Sequence, residues 1–175
     1  TIGSRSGFPP DLNSENNTKL VESGIYTGFI AVAPGIAPAK KYAPPVVVVY
    51  DKASGAEMYR INAYESRYRD SIRVAVGDFN FDGVDDIVTT TMRGTGRLRF
   101  FDGQTGERFT DATLGKEYAV FDGRKDRGAF VAVGEFTGFG RPEIAVGSAL
   151  GGGKVRVFSF DNLAAAPENG GRVPD

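Results

Sequence analysis

The stretch that decides how this chain folds reads Asp78-Phe79-Asn80-Phe81-Asp82-Gly83-Val84-Asp85-Asp86. Side chains that carry oxygen occupy its first, third, fifth and ninth positions, and a glycine occupies the sixth. Proteins bind hard cations such as Ca²⁺ through oxygen ligands at such spacings, with a glycine where the chain turns sharply. The β-prone runs Ile72–Gly77 and Ile87–Thr91 flank the stretch on either side. The pattern therefore predicts a cation-binding loop between two strands.

An EF-hand shares the opening spacing of this loop but requires a bidentate acid at position twelve, between two helices. Position twelve is Thr89, inside a β-branched run, so an EF-hand is rejected. An acidic turn without a metal is the other alternative, and it is less favourable because neighbouring carboxylates repel one another unless a cation neutralises them. Ca²⁺ is expected rather than Mg²⁺, which prefers to keep water and a tight octahedral shell.

The segments around the loop recur at a fixed offset along the chain. Residues 131–136 copy residues 74–79, residues 143–146 copy residues 86–89, and residues 153–158 copy residues 96–101, each 57 positions later. An earlier copy begins at Ile30, which aligns with Ile87. Repetition at a constant period is the signature of an array of similar structural units.

Each repeat predicts a series of short strands. The first is apolar and suits a buried strand, and the third alternates, as in Arg97-Leu98-Arg99-Phe100. A tight turn follows at 102–106, with its counterpart at 51–55, and residues 107–110 are expected to form a fourth strand. The predicted fold is all-β, with antiparallel four-stranded blades of a β-propeller. About two complete repeats and a partial one are expected, forming an incomplete ring or one that oligomerisation completes.

The composition of the 175-residue chain argues against several classes of function. The 24 glycines are about twice the average usage, as expected for an all-β protein with many turns. The absence of cysteine excludes disulfides and thiolate chemistry, and the absence of histidine removes the commonest general base. The net charge of −1 makes nucleic acid an unexpected partner. The sequence has no run of about 20 apolar residues, the length that a membrane-spanning helix needs, so membrane insertion is not expected.

The segment from Val74 through Val88 resembles the FG-GAP repeat, which also forms the calcium-binding blades of integrin α-subunit propellers. The run Leu98-Arg99-Phe100-Phe101-Asp102-Gly103-Gln104-Thr105-Gly106 is similar to bacterial proteins of this type, and the similarity extends from about Ile30 to Phe160. The resemblance implies a loop between the first and second strands of a blade that holds Ca²⁺. Its implied ligands are side-chain oxygens and one backbone carbonyl, at Asp78, Asn80, Asp82, Val84 (carbonyl) and Asp86, whereas Asp85 is not a ligand position.

The copies of this loop lack the ligand pattern. The third repeat has Glu135, Thr137, Phe139 and Glu143 at the four side-chain positions, and the earliest copy has Val21, Ser23, Ile25 and Phe29. One calcium ion per chain is therefore predicted. In the third repeat, Arg141 is hypothesised to lie between the two glutamates and to replace the charge of the ion; a solvated arginine is an equal alternative.

The predicted organisation is an irregular leader at residues 1–20, blade repeats at 21–160 (about 21–70, 71–127 and 128–160) and a tail at 161–175. Tyrosines interleaved with arginines, notably Tyr64, Arg67 and Tyr68, suggest a surface for a protein or glycan ligand. The wet face of outer strands is the alternative that the sequence favours.

The expected function is that of a calcium-stabilised repeat module of a secreted or cell-surface protein, used for adhesion or binding. Extracellular modules bind Ca²⁺ with Kd values of roughly 10⁻⁴–10⁻³ M, which favours a location outside the cytosol. The alternatives are a structural unit of an extracellular array and a non-catalytic accessory part of a polysaccharide-acting enzyme. No nucleophile elbow or phosphate-binding loop is found, so an enzyme is not expected. Self-association or further blades from a longer chain are expected partners.

Overall fold

The computed structural model describes residues 28–35, 44–123 and 127–165, which fold as antiparallel sheets. This confirms the all-β prediction. The strands are β1 (Phe29–Val32), β2 (Val46–Asp51), β3 (Glu57–Asn62), β4 (Ile72–Gly77), β5 (Asp86–Thr91), β6 (Arg97–Phe101), β7 (Tyr118–Ala119), β8 (Arg127–Gly134), β9 (Glu143–Leu150) and β10 (Val155–Phe158). One short helix, α1 (Phe160–Ala164), follows the last of these strands.

Three sheets follow one another in chain order within the described residues. Sheet 1 has the order β1-β2-β3, sheet 2 has the order β4-β5-β6-β7, and sheet 3 has the order β8-β9-β10. Every pair of neighbouring strands is antiparallel and consecutive in sequence, so each sheet is a simple meander. The register Ile87↔Phe101 in sheet 2 recurs as Ile144↔Phe158 in sheet 3, at the offset of the sequence repeat.

The core lies in two layers, one on each face of sheet 2. Ile72, Ile87 and Phe101 pack with sheet 1, whereas Val88 and Phe100 pack with sheet 3. Since side chains of a strand alternate between its two faces, β5 contributes to both layers and is buried along its whole length. Sheet 2 is therefore the central blade of the described structure, and the loop from Asp78 to Asp86 connects its first two strands.

The turn after β2 in sheet 1 and the turn after β6 in sheet 2 are built in the same way. The Asp51 Oδ1 accepts hydrogen bonds from the Ser54 backbone N–H and hydroxyl, at 2.7 and 2.6 Å. The Asp102 Oδ1 accepts the same two bonds from Thr105, at 2.8 and 3.0 Å. Both turns also close with an N–H from a glycine to the carbonyl of the aspartate. The repeated Asp-x-x-(Ser/Thr)-Gly pattern thus encodes a repeated turn.

Two predictions of local structure need correction. The fourth strand of the central blade is not residues 107–110: Arg108 forms only an isolated bridge with Phe101, and the strand that pairs with β6 is Tyr118–Ala119. The segment between Arg108 and Tyr118 leaves the sheet and buries Leu114 in the core. Burial of this apolar side chain compensates for the strand pairing that the segment does not form. The second correction concerns the tail, because α1 begins at Phe160 with Ser159 as its N-cap and buries Leu163.

The predicted leader at residues 1–20 lies outside the described residues, as does most of the earliest copy of the loop. Among the residues that the structure describes, no helix has the length and apolar character needed to cross a membrane.

Candidate metal loop and its surroundings

The backbone of the loop takes two left-handed turns. Gly83 has a φ of 87°, a conformation that glycine adopts without steric cost, which accounts for the glycine at position six. Phe81 has a φ of 62° and is the one residue other than glycine with a positive φ in the described parts of the chain. Such a conformation is uncommon for an aromatic residue and marks a tightly constrained turn.

The oxygens of the first ligand positions are directed toward the inside of this turn. The backbone N–H of Asp82 donates to the Asp78 Oδ1 at 3.1 Å and to the Asn80 Oδ1 at 3.0 Å. The Gly83 N–H donates to the Asp78 Oδ2 at 3.0 Å, and the Val84 N–H donates to the Asp82 Oδ1 at 2.8 Å. The side chains at positions one and three therefore converge on one backbone nitrogen.

Asp86, at position nine, is buried and serves as an anchor for the loop. Its Oδ2 accepts hydrogen bonds from the backbone N–H groups of Phe79 at 3.0 Å and Asn80 at 3.2 Å, and its Oδ1 accepts one from Gly103 at 3.1 Å. Burial raises the pKa of the Asp86 carboxyl to about 6, and the three N–H donors act against this shift. Asp86 thus fastens both ends of the loop to the turn that follows β6.

The residues present fit a hard cation in their chemistry, because Asp78, Asn80 and Asp82 supply oxygen atoms and Val84 supplies a carbonyl. As the side chains stand in the described residues, however, no group of three or more acidic side chains is placed to hold a metal. The hydrogen bonds above account for this, since the carboxylates accept from backbone N–H groups and Asp86 is directed toward Gly103. Asp78, Asn80, Asp82 and the Val84 carbonyl would hold the cation, whose charge would neutralise the two carboxylates.

Residues of the following turn complete the surroundings of the loop. The Gln104 Nε2 donates to the Asp82 Oδ2 at 3.0 Å, and a Cβ added to Gly103 would lie 1.7 Å from the Asp85 carbonyl oxygen. The Tyr59 hydroxyl donates to the Gly103 carbonyl at 2.5 Å, which ties the turn to sheet 1. Sequence reasoning assigned Gly103, Gln104 and Tyr59 no role at the loop. The pairing of β5 with β6 could have indicated this contact. Because Ile87 lies opposite Phe101, Asp86 lies next to the turn at residues 102–106.

The corresponding loop of sheet 3, between β8 and β9, keeps an acid at position nine but lacks the set of ligand residues at the other positions. The Glu143 Oε2 accepts from the Phe136 N–H at 2.8 Å, as Asp86 accepts from Phe79. The Glu143 Oε1 accepts from the Thr137 hydroxyl at 3.0 Å, so a side chain at a former ligand position now binds the anchor. The acid at position nine therefore has a structural role that does not depend on a metal.

The hypothesis that Arg141 lies between Glu135 and Glu143 is wrong. Its guanidinium lies over the ring of Phe81, 5.3 Å from the ring centroid, and so reaches the intact loop of the neighbouring sheet. Neither glutamate forms an ion pair with it in the described structure. A guanidinium over an aromatic face keeps most of its hydration, whereas a position between two carboxylates would require it to be desolvated.

Residues 72–107 comprise, in order, a strand, an oxygen-rich loop, a second strand, a third strand and an Asp-Gly-x-Thr-Gly turn. The family model of the FG-GAP repeat matches residues 72–107, from the first residue of β4 to the residue after the turn. Residues 72–107 are an FG-GAP repeat. The match confirms the resemblance drawn from the sequence for this part of the chain. No curated protein and no solved structure matches the chain at a significant level.

A partly buried network of charged side chains joins β6 to the segment between β3 and β4 and to the residue before β7. Arg97 and Arg99 of β6 form ion pairs with Glu65 and Glu117, and both guanidinium groups lie over the Tyr64 ring, at 4.9 and 4.7 Å from its centroid. The hydrogen bonds from Arg97 and Arg99 hold the pKa of Glu65 at about 2. These alternating arginines are therefore not on a fully solvated face, because the segment after β3 partly covers them.

The three residues that were predicted to form a ligand surface differ in exposure, although the rings of Tyr64 and Tyr68 lie 5.7 Å apart. Tyr64 is only 3% exposed, and its hydroxyl donates to the Arg97 carbonyl at 2.6 Å. Tyr64 is therefore part of the core between sheets 1 and 2 and cannot present a surface for a ligand. Arg67 is exposed and Tyr68 is half-buried, and both line an open cavity of about 440 Å³. Arg69 and Arg93, which belong to the same predicted cluster of arginines, also line this cavity, together with Asp70, which the sequence did not place there.

Proposed function

We propose that this chain is a calcium-stabilised, β-propeller-type repeat module of a secreted or cell-surface protein, in which the loop of the FG-GAP repeat holds one Ca²⁺. The observation that supports the proposal is the convergence of the Asp78 and Asn80 oxygens on the Asp82 backbone N–H, inside a loop that also carries Asp82. A cation replaces that N–H as the common partner of these oxygens. The ion would stiffen the turn between β4 and β5, the first two strands of the central blade.

Calorimetric titration and thermal unfolding test the calcium proposal. We expect Ca²⁺ to bind with a Kd of roughly 10⁻⁴–10⁻³ M, as in extracellular modules, and to raise the Tm relative to EDTA. The double variant Asp78→Asn/Asp82→Asn should lose both responses. Glu135→Gln in the corresponding loop of sheet 3 is the matched control and should keep them. A Tm that is the same in Ca²⁺ and EDTA would show that the loop is an acidic turn without a metal.

We further propose that the module binds a protein or glycan that carries acidic groups, through the surface at Arg67, Tyr68, Arg69 and Arg93. Arg67 and Arg69 are exposed, and Arg93 is exposed but forms an ion pair with Asp70. Arginine beside tyrosine is favoured at binding surfaces because both offer large contact areas with polar ends. The positive charge of three arginines exceeds that of the single carboxylate, which favours an acidic partner.

A glycan array and a panel of acidic proteins test this surface. The double variant Arg67→Ala/Arg69→Ala should not bind the ligands that the unmodified chain binds. The difference in affinity between the two should be smaller in high salt, because salt also weakens binding by the unmodified chain. Arg60→Ala removes an exposed arginine that pairs with Glu57 away from the cavity and should have no effect. Equal binding by both variants would place the ligand elsewhere.

A structural unit in an extracellular assembly is the second candidate function. It is favoured by exposed apolar side chains on the outward faces of sheets 1 and 3. In a monomer such faces are costly, and they are typical of surfaces that pack against further blades.

A further inference from the structure

The segment after β10 cannot pack on the loop of its own sheet as the turn after β6 does. In sheet 2, a Cβ added to Gly103 would lie 1.7 Å from the Asp85 carbonyl oxygen, so this contact requires a glycine. The residue 57 positions after Gly103 is Phe160, whose side chain excludes the same close approach. Phe160 instead begins α1, with Ser159 as the N-cap. The loop between β8 and β9 is therefore separated from the segment after β10.

A cavity of about 450 Å³ occupies this gap, between the loop of sheet 3 and the start of α1. Its volume lies within the range of roughly 300–1,000 Å³ that is typical of small-ligand sites. Phe139 and Phe160 contribute aromatic rings to the lining, and Phe139 is 83% exposed. An exposed ring beside a polar cavity offers an apolar surface on which a ligand can pack.

The polar part of the lining combines groups of opposite charge. Glu143 is 5% exposed, and its Oε1 accepts a hydrogen bond of 3.0 Å from the Thr137 hydroxyl. Asp161, in the first turn of α1, adds a second carboxylate. Arg141 supplies guanidinium N–H groups, and its contact with the Phe81 ring of the candidate metal loop restricts its position. In the described residues none of these three charged groups forms an ion pair, so all three remain able to bind a ligand.

These groups favour a neutral ligand that carries hydroxyl groups. The carboxylates of Glu143 and Asp161 would repel an anion, and the guanidinium of Arg141 would repel a cation. The hydroxyls of a neutral sugar donate to carboxylates and accept from guanidinium N–H groups, in charge-assisted hydrogen bonds. The C–H groups on one face of a sugar ring are apolar and pack on aromatic rings such as that of Phe139. The lining offers both kinds of contact.

We propose that this cavity binds a neutral glycan, which packs on Phe139 and forms hydrogen bonds with the three charged side chains of the lining. The site is distinct from the surface proposed above for acidic ligands. That surface includes Arg93, which follows β5, whereas the cavity adjoins the candidate metal loop, which precedes β5. The two sites thus lie at opposite ends of the strands and take ligands of different charge.

Saturation-transfer NMR with four neutral disaccharides (maltose, lactose, mannobiose and chitobiose) tests the cavity. We expect at least one of them to bind with a Kd on the order of 1 mM. Phe139→Ala should weaken this binding by at least about fivefold, because the apolar contact is lost. Asp161→Ala should weaken it by at least about tenfold, because a charge-assisted hydrogen bond is lost. Phe136→Ala alters another exposed phenylalanine of the same loop, outside the cavity lining, and is the matched control that should bind normally.

Three results would overturn the proposal, once thermal unfolding has shown that the variants are folded. The first is that none of the four disaccharides binds at about 10 mM. The second is that diglycine binds in their place, which would assign the opposite charges of the lining to a zwitterion. The third is that disaccharide binding persists in Phe139→Ala and is lost in Arg67→Ala/Arg69→Ala, which would place the neutral glycan at the other surface.

Discussion

The carboxylate of Asp86 accepts a hydrogen bond of 3.1 Å from the backbone N–H of Gly103, which lies 17 residues later in the chain. This bond joins the end of the candidate metal loop to the turn that follows β6. The two most distinctive motifs of the repeat are therefore one structural unit, and each stabilises the conformation of the other.

Asp86→Asn is expected to destabilise the protein whether or not Ca²⁺ is present. The substitution replaces one acceptor oxygen by an NH₂ group that faces N–H donors, and it removes the charge that all three bonds share. Leaving a buried N–H without an acceptor costs about 1–3 kcal/mol, so a loss of about 3 kcal/mol is expected from denaturant unfolding in EDTA. Asp85→Asn, on the exposed neighbouring residue, should change stability little. An unaffected Asp86→Asn would show that the anchor is dispensable.

Gly103→Ala is expected to be destabilising because there is no room for a side chain. The added Cβ would lie 1.7 Å from the Asp85 carbonyl oxygen and 2.9 Å from the Phe29 ring. Separating these backbone segments should cost at least about 2 kcal/mol, measured as a change in the free energy of unfolding. Lys52 occupies the equivalent position in the turn of sheet 1 and is exposed, so Lys52→Ala should be neutral. Similar stabilities of the two variants would mean that the turn does not pack as described.

Stability is expected to fall in acid through Glu65. Its folded pKa of about 2 lies below its usual value of 4.5, because Arg97 and Arg99 bind the carboxylate. A carboxyl group with a lowered pKa contributes stability that is complete above about pH 5 and is lost as the pH falls from 4.5 toward 2. Glu65→Gln should therefore show a shallower decline of unfolding free energy over this range. Glu57→Gln, in an exposed pair with Arg60, should follow the unmodified chain. Parallel curves for the unmodified chain and Glu65→Gln would exclude this contribution.

Much of the site could be predicted from the sequence because its signals are local. The positions of Asp78, Asn80, Asp82 and Gly83 within nine residues define the loop, and Gly83 has the positive φ that the spacing required. The turn at Asp102 was equally predictable, since its carboxylate accepts hydrogen bonds from the backbone N–H and the hydroxyl of Thr105, three residues later. The fourth strand was placed wrongly at residues 107–110, because burial of Leu114 and Tyr118 outweighed the strand propensity of the nearer segment.

The roles of Tyr64 and Arg141 were not predictable, because they depend on contacts between sheets. Both residues carry polar ends that suit a surface as well as an interface, and composition alone does not distinguish the two environments. Tyr64 lies between two arginines and the core of sheet 1, and Arg141 reaches across to Phe81 of the preceding loop.

The sequence by itself determined the all-β class, the repeating unit, the loop that could hold a cation and the turn that follows it. These features depend on side-chain alternation, on glycine and on hydrogen bonds between residues a few positions apart, all of which are written in short stretches of the chain. The tertiary structure alone decided that Asp86 anchors the loop to Gly103. It also decided that Arg97 and Arg99 bind Glu65 in the segment after β3, and that apolar side chains at the outer edges of the first and last sheets, such as Val32 and Val155, are exposed. Such features depend on which segments meet after the sheets have stacked, and burial against a distant segment leaves no pattern in the local sequence.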